Sequence, residues 1–244
     1  KIALRVGLES PVDQDELMRE HQHSARDLLR DSLAAADIER VWERLPTAYF
    51  LRYTPEEIAR HTQVLASRAA AADEAVVSVE AQTERGTTSI LIYAPHRRHG
   101  FARATAVLDQ LGLNIVDAQI TPIDNGFSLD SYHVLEEDGA AITDTERLGE
   151  IERALWNSLQ RPEEAPVSVS RRASRQARVF NTALQVTISV DERNQRSVLE
   201  LVAGDRPGLL CDVGKVLWEE RVELLAAKVG TFGERAEDVF YITD

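Results

Sequence analysis

The chain has 244 residues, 28 Lys plus Arg against 41 Asp plus Glu, and a formal charge of −13, a balance that argues against a nucleic-acid partner. Its length suits one or two domains, and with 43% apolar residues each can bury a core. One cysteine, Cys211, excludes an intramolecular disulfide and any multi-cysteine metal site, and no run approaches the ~18 apolar residues of a membrane span, so the reading is a soluble, cytoplasmic protein with no membrane partner.

Residues 1–72 are rich in Glu, Arg, Ala and Leu, with apolar positions at helical spacing, and read as a helical segment. A first helix should end near Gly7. Ser10-Pro11-Val12-Asp13 caps a second, which carries Leu17, Met18, Ala25, Leu28 and Leu29, and a third follows from about Asp37. Thr54-Pro55-Glu56-Glu57 sets a capping residue before a proline at the first helical position and predicts a helix through Ile58, His61 and Leu65. Trp42, Leu45, Tyr49, Phe50 and Tyr53 concentrate aromatic and apolar surface as a core or docking patch. His21 and His23 are two apart, face different directions on a helix, and read as solvated surface rather than as a metal pair.

From residue 73 the pattern turns to short strands rich in Val, Ile and Thr. Segments 76–81 and 89–94 flank Thr83-Glu84-Arg85-Gly86, a hairpin signal. A polar loop at 96–100 leads to a helix at 101–111 with Ala104, Val107, Leu108 and Leu111 on one face, closed by Gly112. Strands at 114–121 and 129–136 surround Asp124-Asn125-Gly126. A helix at 143–159 opens on Thr143-Asp144-Thr145-Glu146 and carries Leu148, Ile151, Leu155 and Leu159. Residues 161–178 hold five arginines against two glutamates, with two prolines, and form an Arg-rich linker.

Beyond the linker the pattern repeats. An offset of 109 lays Tyr93-Ala94-Pro95-His96-Arg97 over Val202-Ala203-Gly204-Asp205-Arg206, and Ala118-Gln119-Ile120 over Ala227-Lys228-Val229. Strand, helix, strand, strand, helix implies an α+β plan of the ferredoxin-like kind, a four-stranded antiparallel sheet with its helices on one face, at 73–160 and again at 179–244. The second copy stops before its closing helix. The extra strands at 76–81 and 182–190 are expected to pair with 89–94 and 198–203, in the place of a final strand. A start at Lys1 and an end just after the strand-like Val239-Phe240-Tyr241-Ile242 suggest a piece of a longer protein.

Leu201-Val202-Ala203-Gly204-Asp205-Arg206-Pro207-Gly208-Leu209-Leu210 resembles the opening strand, loop and helix start of an ACT domain, a small module that binds amino acids and controls attached enzymes. The stretch from Gly233-Glu234-Arg235 to Tyr241-Ile242-Thr243-Asp244, together with Arg5-Val6-Gly7-Leu8-Glu9-Ser10-Pro11 and Tyr49-Phe50-Leu51-Arg52-Tyr53-Thr54-Pro55-Glu56-Glu57-Ile58, resembles the C-terminal part of bacterial bifunctional PII uridylyltransferase/uridylyl-removing enzymes. The resemblance implies an inter-domain helical segment next to an HD domain, then tandem ACT domains, the second lacking its final helix. It further implies a parent that uridylylates PII with UTP and magnesium and removes UMP when glutamine is plentiful. This chain carries no nucleotidyltransferase motif and no adjacent His-Asp metal pair, so it is assigned to sensing, with no catalytic residue, cofactor or metal of its own.

An amino-acid receptor needs N–H donors for a carboxylate and acceptors for an ammonium. In the second repeat, Gly208 permits close backbone approach and the N–H groups of Leu209 and Leu210 stand at a positive helix end. Asp205 is either an ammonium acceptor or a helix N-cap. Arg206 and Pro207 complete the candidate glutamine loop, and Asn114 is either an amide partner or an ordinary strand-edge residue. The first repeat has His96-Arg97-Arg98-His99-Gly100 instead, with its glycine one place later, and reads as a positive, solvated loop. Cys211 reads as core. A homo-oligomer built on sheet edges, without amino-acid binding, is the competing reading.

Overall fold

A computed structural model describes residues 11–68, 75–82, 86–97, 99–123, 126–161, 169, 182–232 and 235–243. The helix expected before Gly7, the tips of both turns in the first repeat and nearly all of the Arg-rich linker lie outside those residues. The chain divides into two compact units, residues 1–74 with 123–125, and 75–122 with 126–244.

The first unit packs four helices, α1 (Pro11–Leu29), α2 (Ala35–Trp42), α3 (Thr47–Arg52) and α4 (Pro55–Arg68). The capping signal before α4 is realised in both directions: Thr54 N–H donates to Glu57 Oε2 at 2.9 Å and Glu57 N–H to Thr54 Oγ1 at 3.4 Å. Trp42, Leu45, Tyr49, Phe50 and Tyr53 are all buried, which settles them as core. Tyr49 meets Phe50 edge to face at 5.1 Å between ring centres, and such pairs add ~0.5–1.5 kcal/mol beyond burial. The polar atoms of this core are matched, Trp42 Nε1–H donating to Thr62 Oγ1 at 2.8 Å and Tyr49 O–H meeting His61 Nδ1 at 2.9 Å. His21 is not free surface as expected, since its Nδ1 lies 2.7 Å from the Phe50 carbonyl oxygen.

In the second unit the elements follow the repeated order. The first repeat runs β1 (Val76–Gln82), β2 (Thr87–Pro95), α5 (Gly100–Gln110), β3 (Asn114–Ile123), β4 (Phe127–Leu135) and α6 (Thr145–Leu159). The second runs β5 (Gln185–Asp191), β6 (Arg196–Gly204), α7 (Leu209–Glu219), β7 (Glu223–Lys228), β8 (Thr231–Phe232) and β9 (Arg235–Thr243). The extra strands pair as expected, Val77 opposite Ile92 and Val186 opposite Leu201, positions again 109 apart. Helix α6 begins later than the sequence suggests, because Asp144 rather than Thr143 is its N-cap, accepting from Glu146 N–H at 3.0 Å.

The sequence reading has two separate four-stranded sheets, and the structure joins them into one, ordered β1-β2-β4-β3-β7-β9-β6-β5 with β8 on β9. The join is the antiparallel pair β3–β7, with Asp117, Ala118 and Gln119 opposite Lys228, Ala227 and Ala226. Each repeat alone would leave this strand as an exposed edge, and pairing the two edges satisfies both. On the helix-covered face α5 packs against α7. Gly214 makes that approach possible, since a Cβ there would stand 2.9 Å from Cα and Cβ of Ala102. The core runs through both repeats, from Val77, Ile92 and Tyr132 to Leu201, Leu224 and Phe240.

Candidate functional site

The fused sheet places the strand-to-helix loop of each repeat close to the other repeat. In the second loop, Gly208 adopts φ +82° as the N-cap of α7, so the capping role open to Asp205 belongs to the glycine. Gly208 N–H donates to the Asp109 carboxylate from the last turn of α5, and Leu209 N–H to the Arg206 carbonyl at 3.2 Å. Arg206 is exposed and pairs with Asp212 at 2.7 Å; Asp205, Pro207, Leu209 and Leu210 are half-buried. A Cβ on Gly208 would lie 3.2 Å from Cβ of Val169, so a linker side chain rests against this loop. Asn114 opens β3, exposed, with Nδ2 donating to the Glu136 carbonyl at 3.4 Å.

The first loop is built differently. His96 Nε2 reaches Glu223 Oε1 at 3.2 Å, a contact between repeats. Glu223 is the counterpart of Asn114 at the offset of 109. Arg97 Nη1 donates to the Arg161 carbonyl at 3.0 Å, and His99, buried at the N-cap of α5, meets the edge of Trp218 at 4.7 Å. His99 corresponds to Gly208 and Trp218 to Asp109, so the same inter-repeat contact is a ring pair at one loop and a charged hydrogen bond at the other.

Beside the first loop is a cavity of about 300 Å³, walled by both repeats. That is the lower end of the ~300–1,000 Å³ of ligand pockets. Phe101, Ile120, Leu217 and Leu224 form its apolar surface. Its charged groups are His96 and Arg97 from the loop, Arg221 from the α7–β7 turn, Glu223 at the start of β7, and Asp130 from β4. Asp130 lies on the helix-covered side of the strand, in alternation with Ser128 and Tyr132, and only 6% of it is exposed. Its Oδ1 has no hydrogen-bond partner among the described residues. Burial pushes its pKa up to about 7, against the opposing hydrogen bond from Ser128. A buried carboxyl with one oxygen unmatched is costly, and a cavity beside it marks a place for a ligand.

Sequence reasoning singled out the second loop and missed Asp130, Arg221 and Glu223. The signal for Asp130 was present, a lone acid in an alternating strand at a position that must face the core. Glu223 could have been found by carrying Asn114 across the repeat. Cys211 is buried and burial raises its thiol pKa, which fits a core residue. Among the described residues no group of three or more His, Cys, Asp or Glu could hold a metal ion, and no helix is long and apolar enough to cross a membrane.

A family model described as the uridylyltransferase GlnD fifth domain matches residues 13–64. The chain is 43% identical over 249 aligned positions to the bifunctional uridylyltransferase/uridylyl-removing enzyme of Pseudomonas savastanoi pv. phaseolicola (strain 1448A / Race 6), an alignment covering all of this chain and 28% of the relative. Identity to the enzyme of the same name from Ectopseudomonas mendocina (strain ymp) is 41%, with the same coverage. The chain thus spans 28% of the length of these curated relatives. Among solved structures, aspartate kinase from Synechocystis matches 65% of this chain and 24% of its own, with 17% identity and a TM-score of 0.37.

Proposed function

We propose that this chain, 43% identical along its whole length to the C-terminal part of a bifunctional uridylyltransferase/uridylyl-removing enzyme, is a regulatory region that senses L-glutamine. In this reading, catalytic domains outside these 244 residues use UTP and magnesium to uridylylate a PII signal protein in the cytoplasm, and remove UMP when glutamine is high. The chain contributes sensing and coupling, with no catalytic residue and no cofactor of its own.

The observation that carries the reading is the inter-repeat grip on both loops, His96 on Glu223 at one and Gly208 on Asp109 at the other. A ligand entering either junction competes with a contact that holds the two repeats together. It therefore has different affinities for the gripped and released arrangements, the physical requirement for a switch. The candidate receptors are the two junctions: Asp205, Arg206, Pro207, Gly208, Leu209 and Leu210 with Asn114 at one, and the His96 loop at the other.

Calorimetric titration of the chain with L-glutamine, and with L-glutamate as control, tests it. Saturable binding of glutamine and not of glutamate supports the sensor. A second reading, a platform for self-association without amino-acid binding, is favoured by one feature: Val186, Ile188 and Val190 on β5 are 52%, 64% and 72% exposed. Their counterparts on β1 lie in the strand that α6 covers. Ligand-independent dimerisation with no amino-acid binding would replace the sensor by this platform.

A further inference from the structure

We propose that Asp130 is the ammonium acceptor of an amino-acid site in the cavity at the first junction, and so the residue that sets its specificity for ligands carrying a free α-amino group. The proposal rests on the sensing function above and places its ligand at the first loop, which sequence reasoning set aside. Three observations converge on it.

The first is the unmatched Oδ1 of a carboxylate that is only 6% exposed and forms part of a cavity wall. Sheet and helix use their own backbone groups, so this oxygen is left for something the cavity holds. The second is the sign of the neighbours. Arg97, Arg221 and His96 oppose a polycation, while Asp130 and Glu223 oppose a phosphate or dicarboxylate. A small zwitterion suits both sets at once, its ammonium against Asp130 and its carboxylate toward the arginines. The third is asymmetry between the repeats. The counterpart of Asp130 across the sheet is Asp238, which lies opposite Leu201 as Asp130 lies opposite Ile92 and whose Oδ1 accepts from Gly230 N–H at 3.3 Å; the counterpart of Glu223 is Asn114, so the second junction keeps one of the two acids. There the Gly208 N–H is already taken by Asp109. The cavity, Asp130 and Glu223 therefore come together at the first junction. The groups facing Asp130 across the cavity are His96, Arg97, Arg221 and Glu223, with Ser128 on its own strand, and a bound cation fixes it in the charged form.

The test titrates the full chain with L-glutamine and with 5-amino-5-oxopentanoate, the same molecule without its α-amino group. Wild type, Asp130→Asn and Asp205→Ala are compared, with the fold of each checked by circular dichroism. The expected result is that the deaminated analogue binds at least tenfold more weakly than glutamine, that Asp130→Asn weakens glutamine by at least tenfold, and that Asp205→Ala changes it less than twofold. Equal binding of the analogue, or unchanged binding by Asp130→Asn, overturns the proposal. If Asp205→Ala abolishes binding while Asp130→Asn leaves it intact, the site belongs to the second loop and the sensing function stands. If the wild type binds neither molecule, both fall.

Discussion

Replacing Gly214 by alanine forces α5 and α7 apart, and its cost can be worked from the structure. A Cβ at this position would stand 2.9 Å from Cα and from Cβ of Ala102 and 3.0 Å from its N. Carbon pairs prefer ~3.5–4.0 Å, so each contact is short by roughly half an ångström or more against atoms that no rotamer change can move. Overpacking of this kind costs typically ~1–3 kcal/mol, from which the helix preference for alanine over glycine returns about 1 kcal/mol. The net expectation is a loss of about 0–2 kcal/mol. Gly149 in α6 is the matched control: its Cβ would meet only Nη1 of Arg153, at 3.4 Å, the far end of a side chain that can swing away. There the same substitution should stabilise by about 0.5–1 kcal/mol. Urea unfolding of both variants, followed by tryptophan fluorescence and compared at equal m-values, reads the difference directly. Gly214→Ala gaining as much stability as Gly149→Ala would refute the close packing of the two helices.

Stability should also depend on pH in a direction set by buried acids. Burial raises the pKa of Asp130 to about 7 and of Asp238 to about 6, so the folded state holds protons that the unfolded state releases above ~4. Their contribution is complete below about pH 4 and is lost as pH rises through 6 to 7; Asp130→Asn should gain roughly 2–4 kcal/mol over wild type between pH 4 and pH 8, and parallel urea profiles for the two would contradict this. Arg147 ties the Leu111 carbonyl at 2.5 Å to Glu136 at 3.0 Å and Glu150 at 2.7 Å, half-shielded from water. Arg147→Ala should cost about 1–2 kcal/mol in thermal or urea unfolding, and Arg147→Lys should recover less than half, since an ammonium cannot reach all three acceptors. Ile188→Thr with Val190→Thr on the exposed face of β5 should leave monomer stability within about 0.5 kcal/mol while reducing self-association in sedimentation velocity; unchanged association would free that face of any role in assembly.

Local signals carried most of the elements. Thr54 and Glu57 spell a capping box, Leu108 and Leu111 a helical face, and Val77 and Val186 a strand that pairs with its successor, because each depends on neighbours a few residues away. The repeat, visible at a fixed offset, carried the ferredoxin-like plan of each half. The fusion of the halves through Ala118 and Ala227 was not legible, since nothing in one edge strand states which other edge it will meet. Nor was the cavity, whose walls come from positions as distant as Phe101 and Leu224. Asp130 was overlooked because a single acid among Leu129, Ser131 and Tyr132 reads as an interruption of the strand pattern until the fold shows that none of the described residues partners its Oδ1. The second loop was read as open because Asp109, the residue that holds the Gly208 N–H, is 99 positions away.

Hydrogen–deuterium exchange of the full chain, with and without saturating L-glutamine, tests most directly whether an amino acid acts at the junction of the two repeats. Slower exchange is expected in residues 96–101, 128–132 and 221–226, the segments that wall the cavity, with a smaller change along the β3–β7 join. Absence of any change at saturating glutamine, or protection confined to 205–210, would contradict a ligand held between the repeats beside Asp130.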